Sequence, residues 1–176
     1  WGFRIKIAFD IAQAMLYLQT YDPPIIHRDL RSPNIFLASF DTSRSFDRSF
    51  AHAKLADFGL ARPVYSNFIG GLLPTFQWLA PEVIDSDGLV YDQTSDVYSF
   101  GIVLWEIASR AVPFYSDYWL DFQKNGEFQK HLCILAILKK SLRPIIPDST
   151  PASFASLIRA CWAHRPSDRP NFHAIT

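Results

Sequence analysis

His27-Arg28-Asp29-Leu30-Arg31-Ser32-Pro33-Asn34 is the stretch on which the reading turns. Asn34 follows Asp29 by five residues, enough for a tight loop to turn a carboxylate and an amide toward one site. Two further strings follow in order, Asp57-Phe58-Gly59 and Ala80-Pro81-Glu82. Singly each is ordinary: an Asp before Phe-Gly is a turn residue, and His-Arg-Asp is a solvated loop. Asn34 and Asp57 both carry hard oxygen atoms, the donor type that suits Mg²⁺.

Outward from that stretch, Ala8, Ile11, Ala12, Met15 and Leu16 recur at helical spacing and predict an amphipathic helix over 3–18. Asp22-Pro23-Pro24 closes it, because proline restricts its predecessor and cannot donate to a helix ladder. Short apolar runs at 35–37 and 54–56 read as strands around a long hairpin loop or insertion at 39–50. Residues 57–84 lack periodicity and read as a functional loop. Thr94-Ser95-Asp96 offers N-cap residues for a helix through Ser109, apolar all round and so centrally buried. A further helix is expected around 128–140, and Thr150-Pro151 reads as an N-cap with proline at N1 of a last long helix. Everything after the insertion is expected to be helical.

The chain has 176 residues, 49% hydrophobic and 15% aromatic, which supports a sizeable core and argues against disorder. Seventeen Lys plus Arg balance seventeen Asp plus Glu, so bulk charge holds the protein to neither nucleic acid nor anionic lipid. Cys133 and Cys161 lie in apolar helix-like stretches without metal spacing and read as buried thiols in a reducing compartment. His52, His131, His164 and His173 have no ligand spacing and are expected at surfaces. No apolar run approaches the roughly 18 residues of a membrane span, so no transmembrane segment is expected. The chain opens at Trp1 inside a helical pattern with no signal peptide in view, and it reads as a soluble, cytoplasmic piece of something larger.

The three strings resemble the catalytic loop (27–34), the metal-binding DFG and the APE end of the activation segment (57–82) of protein kinases. At about one chance in twenty per position, their specified residues match at random on the order of 10⁻¹³ per placement. The resemblance covers residues 1–176 as one partial domain and implies a protein kinase-like α+β fold. It implies a mainly α-helical C-terminal lobe with short β-hairpins, the N-terminal lobe being absent from this chain. The activity implied is transfer of the γ-phosphate of ATP to a protein substrate with Mg²⁺. Phosphoryl transfer asks a protein chiefly for positioning and charge neutralisation. By resemblance Asp29 accepts or orients the proton of the attacking hydroxyl, Arg31 meets the transferring phosphate, and Asn34 and Asp57 hold the metal. Phe36 falls where the family places an apolar floor under adenine. Phe58 is placed beneath the metal site, and Gly59 is expected to give the backbone freedom of a switching segment. Glu82 is expected to pair with Arg169, and Asp96 to hold the catalytic-loop backbone.

Thr75, five residues before Ala80, stands where serine/threonine kinases carry a threonine beside the catalytic aspartate. Arg31, Trp78 and Cys161-Trp162 look instead like tyrosine kinases, a mixture typical of the tyrosine-kinase-like group, whose members mostly phosphorylate Ser and Thr. Residues 27–37 with Gly71-Leu72-Leu73-Pro74-Thr75-Phe76-Gln77-Trp78 look like the Roco kinases, and Leu142-Arg143-Pro144-Ile145-Ile146-Pro147 fits them. That likeness implies leucine-rich repeats and a Ras-like GTPase domain in the same parent chain. The chain departs from a complete kinase in having no glycine-rich loop and no strand lysine, so it is not expected to be competent alone. Arg28 beside Asp29 suggests regulation, with a phosphate on Ser66, rather than Tyr65 or Thr75, pairing with it. The competing readings are tyrosine or dual specificity, and a non-catalytic, pseudokinase-like interaction module. The module's docking surface would be the 128–140 helix and Phe114-Tyr115-Ser116-Asp117-Tyr118-Trp119.

Overall fold

The computed structural model describes residues 1–38, 52–63, 76–86, 90–114 and 122–176, with the backbone alone at 122–129. Its centre is a helix with apolar residues all round its axis. In α3 (Gln93–Ser109), Val97, Tyr98, Phe100, Ile102, Val103, Leu104, Trp105 and Ala108 are all buried. Helix α1 (Gly2–Gln19) buries Ala8, Ile11, Ala12, Met15 and Leu18 along one stripe against it. Helix α5 (Ala152–Cys161) adds Phe154, Ala155, Ile158 and Cys161 from another side. Gly101 lets α3 and α5 close: a Cβ built there would stand 2.9 Å from Cys161 Cβ and 2.9 Å from Trp162 N. A satellite cluster of Phe76, Phe114, Cys133 and Ile137 seats α4 (Phe122–Lys140) near α2 (Pro81–Asp85). The short α6 (Phe172–Ile175) plugs Phe172 against Phe100, ring centroids 5.3 Å apart.

Two small antiparallel pairings flank this bundle. β2 (Ile35–Ala38) pairs with β3 (His52–Leu55), Ile35 opposite Leu55. β1 (Ile25–Ile26) pairs with β4 (Arg62–Pro63), Ile26 opposite Arg62. The second pairing corrects the expectation that only helices follow the insertion. Two-residue strands carry no alternation, and Pro63 sits where an edge tolerates a missing N–H.

Three other corrections concern helix ends. The cap of α3 is Asp92, not Thr94-Ser95-Asp96: its carboxylate accepts from Thr94 N (2.8 Å) and Ser95 N (3.2 Å) in a capping box. That arrangement leaves the Asp96 side chain free to leave the helix. Helix α5 is capped by the backbone of Pro151, whose carbonyl accepts from Ala155 N at 2.9 Å, while Thr150 lies in a turn closed on Pro147 O. Helix α4 begins at Phe122, earlier than its apolar spacing signals. Both thiols are free and buried, and burial pushes Cys133 up to about 11 and Cys161 up to about 12. His52, His131, His164 and His173 are exposed.

Candidate active site

The catalytic-loop candidates are assembled by hydrogen bonds that α3 supplies. Asp96, 1% exposed, receives His27 N at 2.7 Å on Oδ2 and Arg28 N at 3.0 Å on Oδ1. Burial pushes its carboxyl up to about 7, against the pull of those two N–H groups and of Arg28. Arg28 has φ 69°, so the chain reverses at this residue. The Tyr91 hydroxyl donates to Arg28 O at 3.2 Å. His27 is fully buried; its Nδ1 accepts from Asp29 N (3.3 Å), and the remaining ring N–H faces Ala56 O at 3.2 Å. Burial lowers the His27 pKa, consistent with a neutral ring holding one proton on Nε2.

Asp29 is then fixed from two sides. Asn34 Nδ2 donates to Asp29 Oδ2 at 2.7 Å and to Asp29 O at 2.8 Å. Arg31 Nε stands 2.9 Å from Asp29 Oδ1 as an ion pair. With its amide nitrogen committed to Asp29, buried Asn34 keeps its Oδ1 as an acceptor. The β2–β3 register continues one step past Ile35, since Ala56 N donates to Asn34 O at 2.9 Å. Asp57 is the next residue, so its backbone starts one step beyond this pairing. The donor set of one amide oxygen and one exposed carboxylate fits Mg²⁺, which takes few protein ligands and completes its shell with water and phosphate oxygens. Among the described residues no group of three or more His, Cys, Asp and Glu could hold a metal.

The turn after β3 differs from expectation in which residue carries the unusual backbone. Asp57, not Gly59, is left-handed (φ 62°), and its Oδ1 accepts from Gly59 N at 3.3 Å. Gly59 instead leaves space: a Cβ there would approach Asp57 Oδ1 to 3.2 Å. Phe58 meets the buried His27 ring edge-on at 5.1 Å and is otherwise half exposed. Phe36 is 59% exposed on β2, opposite Lys54. Thr75, Tyr65 and Ser66 lie outside the described residues, as do positions 115–119 of the aromatic run. Phe114 from that run is buried, so it offers no docking surface, whereas Leu132 and Leu135 of α4 are exposed.

Glu82 and Arg169 form a bidentate pair, Nη1 to Oε1 at 2.7 Å and Nη2 to Oε2 at 2.8 Å. Sequence reasoning missed His27, Tyr91 and Glu106 as site-supporting groups. Glu106 had a usable signal, an acid inside the apolar second half of α3; Tyr91 had none.

The chain belongs to the protein tyrosine and serine/threonine kinase family, whose sequence model matches residues 3–176. Among curated proteins it is similar to the probable serine/threonine-protein kinase roco11 of Dictyostelium discoideum, 41% identical over 176 residues. That alignment covers 99% of this chain and 11% of that protein. The probable serine/threonine-protein kinase qkgA of the same organism is 40% identical over 99% of this chain and 10% of its own length. Cyclic GMP-binding protein C, also of Dictyostelium discoideum, is 39% identical over 99% of this chain and 6% of its own length. The chain thus spans about a tenth or less of the length of these relatives.

Proposed function

We propose that residues 1–176 are the C-terminal, catalytic-loop-bearing lobe of a protein serine/threonine kinase of the tyrosine-kinase-like group and Roco type. The observation that carries this reading is the double hydrogen bond from Asn34 Nδ2 to Asp29, with Asp57 one residue beyond the strand pairing that holds Asn34. Asp29 orients the substrate hydroxyl, and its carboxylate takes the proton as the oxygen is phosphorylated. The Asn34 amide and the Arg31 ion pair fix that carboxylate in place, so its first task is orientation. Arg31 balances Asp29 between turnovers and offers its remaining guanidinium N–H groups to the transferring phosphate. Asn34 Oδ1 and the Asp57 carboxylate are the ligands for Mg²⁺, which neutralises phosphate oxygens when bound. Phe36 presents its exposed ring to adenine, and Thr75 is assigned the role of a positioning hydroxyl for Asp29.

Regulation through Arg28 fits the local charge. Arg62 is close enough to disfavour the charge of Arg28, and β1–β4 pairing brings Arg62 to Ile26, two residues from Arg28. A phosphate on Ser66 would relieve that repulsion. Phe58 and Gly59 form the switch next to it. The parent protein supplies the other ATP-binding lobe and a Ras-like GTPase domain, and it is cytoplasmic. In the described residues no helix is long and apolar enough to cross a membrane. The exposed Leu132 and Leu135 favour an accessory docking role for α4.

Calorimetry of the full-length protein with ATP tests the reading. Binding that needs Mg²⁺, weakens in Asp57→Asn, and accompanies phosphoserine or phosphothreonine in a protein substrate is the expected result. Absence of ATP binding would favour the interaction module, and phosphotyrosine alone would contradict the Ser/Thr assignment.

A further inference from the structure

Two helices hold the candidate site, and they hold different halves of it. Helix α3 fixes the catalytic loop: Asp96 takes the N–H groups of His27 and Arg28, and Glu106 accepts from Ser32 Oγ at 2.8 Å and Trp78 Nε1 at 2.7 Å. The strand that leads to Asp57 is held from α1 instead. Ala56 N donates to Asn34 O, so in the antiparallel register the backbone of 52, 54 and 56 turns toward β2, and that of Ala53 and Leu55 turns away. The outward N–H of Ala53 is met by a side chain of α1: it donates to Asp10 Oδ2 at 3.1 Å. The other oxygen, Asp10 Oδ1, accepts from Lys6 Nζ one turn earlier. β3 is therefore hydrogen-bonded along both edges, by β2 on one side and by α1 on the other, while Ala53 and Leu55 pack against the main core.

Helix stability does not account for an acid at this position. Aspartate is a weak helix former, because its side chain competes for nearby backbone groups, and Asp10 lies in the middle of α1. A basic residue N-terminal to an acid at i,i+4 is also the less favourable order for the helix dipole. The side chain is only 17% exposed, so its carboxylate is partly withdrawn from water. What it gains there is the charge-assisted bond to the edge of β3. Ala53 stands four residues before Asp57, and an extended strand carries a sideways displacement to its end. Asn34, meanwhile, is locked onto Asp29. We propose that Asp10 is a positioning residue for the metal site: by holding the outer edge of β3, it sets where the Asp57 carboxylate stands relative to Asn34 Oδ1. This inference rests on the kinase reading above, in which Asn34 and Asp57 are the ligands for Mg²⁺.

The test uses the full-length protein and reads the strand and the metal separately. In Asp10→Ala, without metal or nucleotide, the Ala53 amide should exchange at least about tenfold faster, the scale of one hydrogen bond to a charged group, with the slowest amides of α3 unchanged. Calorimetric titration of MgCl2 into the ATP-bound protein should show the apparent Kd for Mg²⁺ rising about three- to tenfold, part of that same bond passed along the strand. Asp10→Asn keeps an oxygen for Ala53 N and should return both readouts to within about twofold of wild type. Lys6→Met removes the ion pair and keeps the strand bond, so it too should stay within about twofold. Asp10→Glu keeps the charge but carries the carboxylate one methylene too far. It should weaken Mg²⁺ binding in the same direction, and it replaces Asp10→Ala if that variant loosens α3. An accelerated Ala53 amide with unchanged Mg²⁺ affinity, or a loss as large in Lys6→Met, overturns this inference alone. A wild type whose ATP binding does not need Mg²⁺ overturns the kinase reading and this inference with it.

Discussion

Replacing Arg169 by Ala is the most severe single change the fold offers outside its apolar core. The Arg169 side chain has no accessible surface, and all five of its N–H groups are used. Nε donates to Ala163 O (2.9 Å), Nη1 to Glu82 Oε1 (2.7 Å) and Thr94 O (3.0 Å), and Nη2 to Glu82 Oε2 (2.8 Å) and His164 O (3.2 Å). Alanine strands three carbonyls and leaves Glu82, 19% exposed, with Ser95 Oγ as a hydroxyl donor at 3.1 Å. Breaking a buried pair by removing one partner costs about 3–5 kcal/mol. Amide hydrogen exchange is the suitable assay, read at the slowest amides of α3. At about 1.4 kcal/mol per tenfold, their exchange should accelerate by roughly two to almost four orders of magnitude. Arg169→Lys, with a point charge in place of the fork, should recover less than half of the loss. Replacing both partners, Glu82→Leu with Arg169→Met, should be milder than Arg169→Ala alone. Acceleration below about tenfold in Arg169→Ala would refute the reasoning that this pair holds the lobe together.

His27 should titrate with an NMR midpoint below 6.5, because burial opposes its charged form. Its folded pKa is depressed, so its contribution to stability is present above 6.5 and is lost as pH falls toward the folded value. Asp96 acts in the opposite sense: its pKa is raised to about 7, so its contribution is full below about 4 and is lost as pH rises through 7. Comparing wild type with His27→Asn between pH 4 and 6.5 should remove the His27 slope; identical slopes would contradict the buried neutral ring. Gly101→Ala should destabilise by about 1–3 kcal/mol despite alanine's better helix propensity, since its Cβ would press on the Cys161–Trp162 backbone. An unchanged exchange profile in α5 would count against that close approach.

The helices were legible because their signals are long. The stripe of α1 and the all-round apolarity of α3 predict their burial from spacing alone. The start of α3 was not, because Asp92, Thr94, Ser95 and Asp96 are all good caps by local pattern; the tie of Asp96 to the catalytic loop, expected from the resemblance, is what the structure shows. β1 and β4 are too short to leave a pattern. For the candidate site, the motif strings pick out Asp29, Asn34 and Asp57; the structure bonds Asn34 to Asp29 and puts Asp57 one residue past the backbone pairing of Ala56 with Asn34. What stayed hidden is the support: His27 bridging Asp29 and Ala56, Tyr91 on Arg28, and Glu106 between two segments remote in sequence. The glycine of Asp57-Phe58-Gly59 also misled, since the left-handed residue is the aspartate and the glycine makes room for its carboxylate.

The most direct measurement compares full-length wild type with Asp29→Asn for phosphate transfer from ATP to serine and threonine, alongside ATP–Mg²⁺ binding. Asparagine preserves the shape of Asp29 but cannot take a proton or hold the Arg31 ion pair. Loss of a general base lowers rates by about 10²–10⁴-fold, so transfer should fall by at least ~100-fold with nucleotide binding and α3 exchange close to wild type. Transfer near the wild-type rate in Asp29→Asn would contradict the assignment of this loop as the catalytic centre.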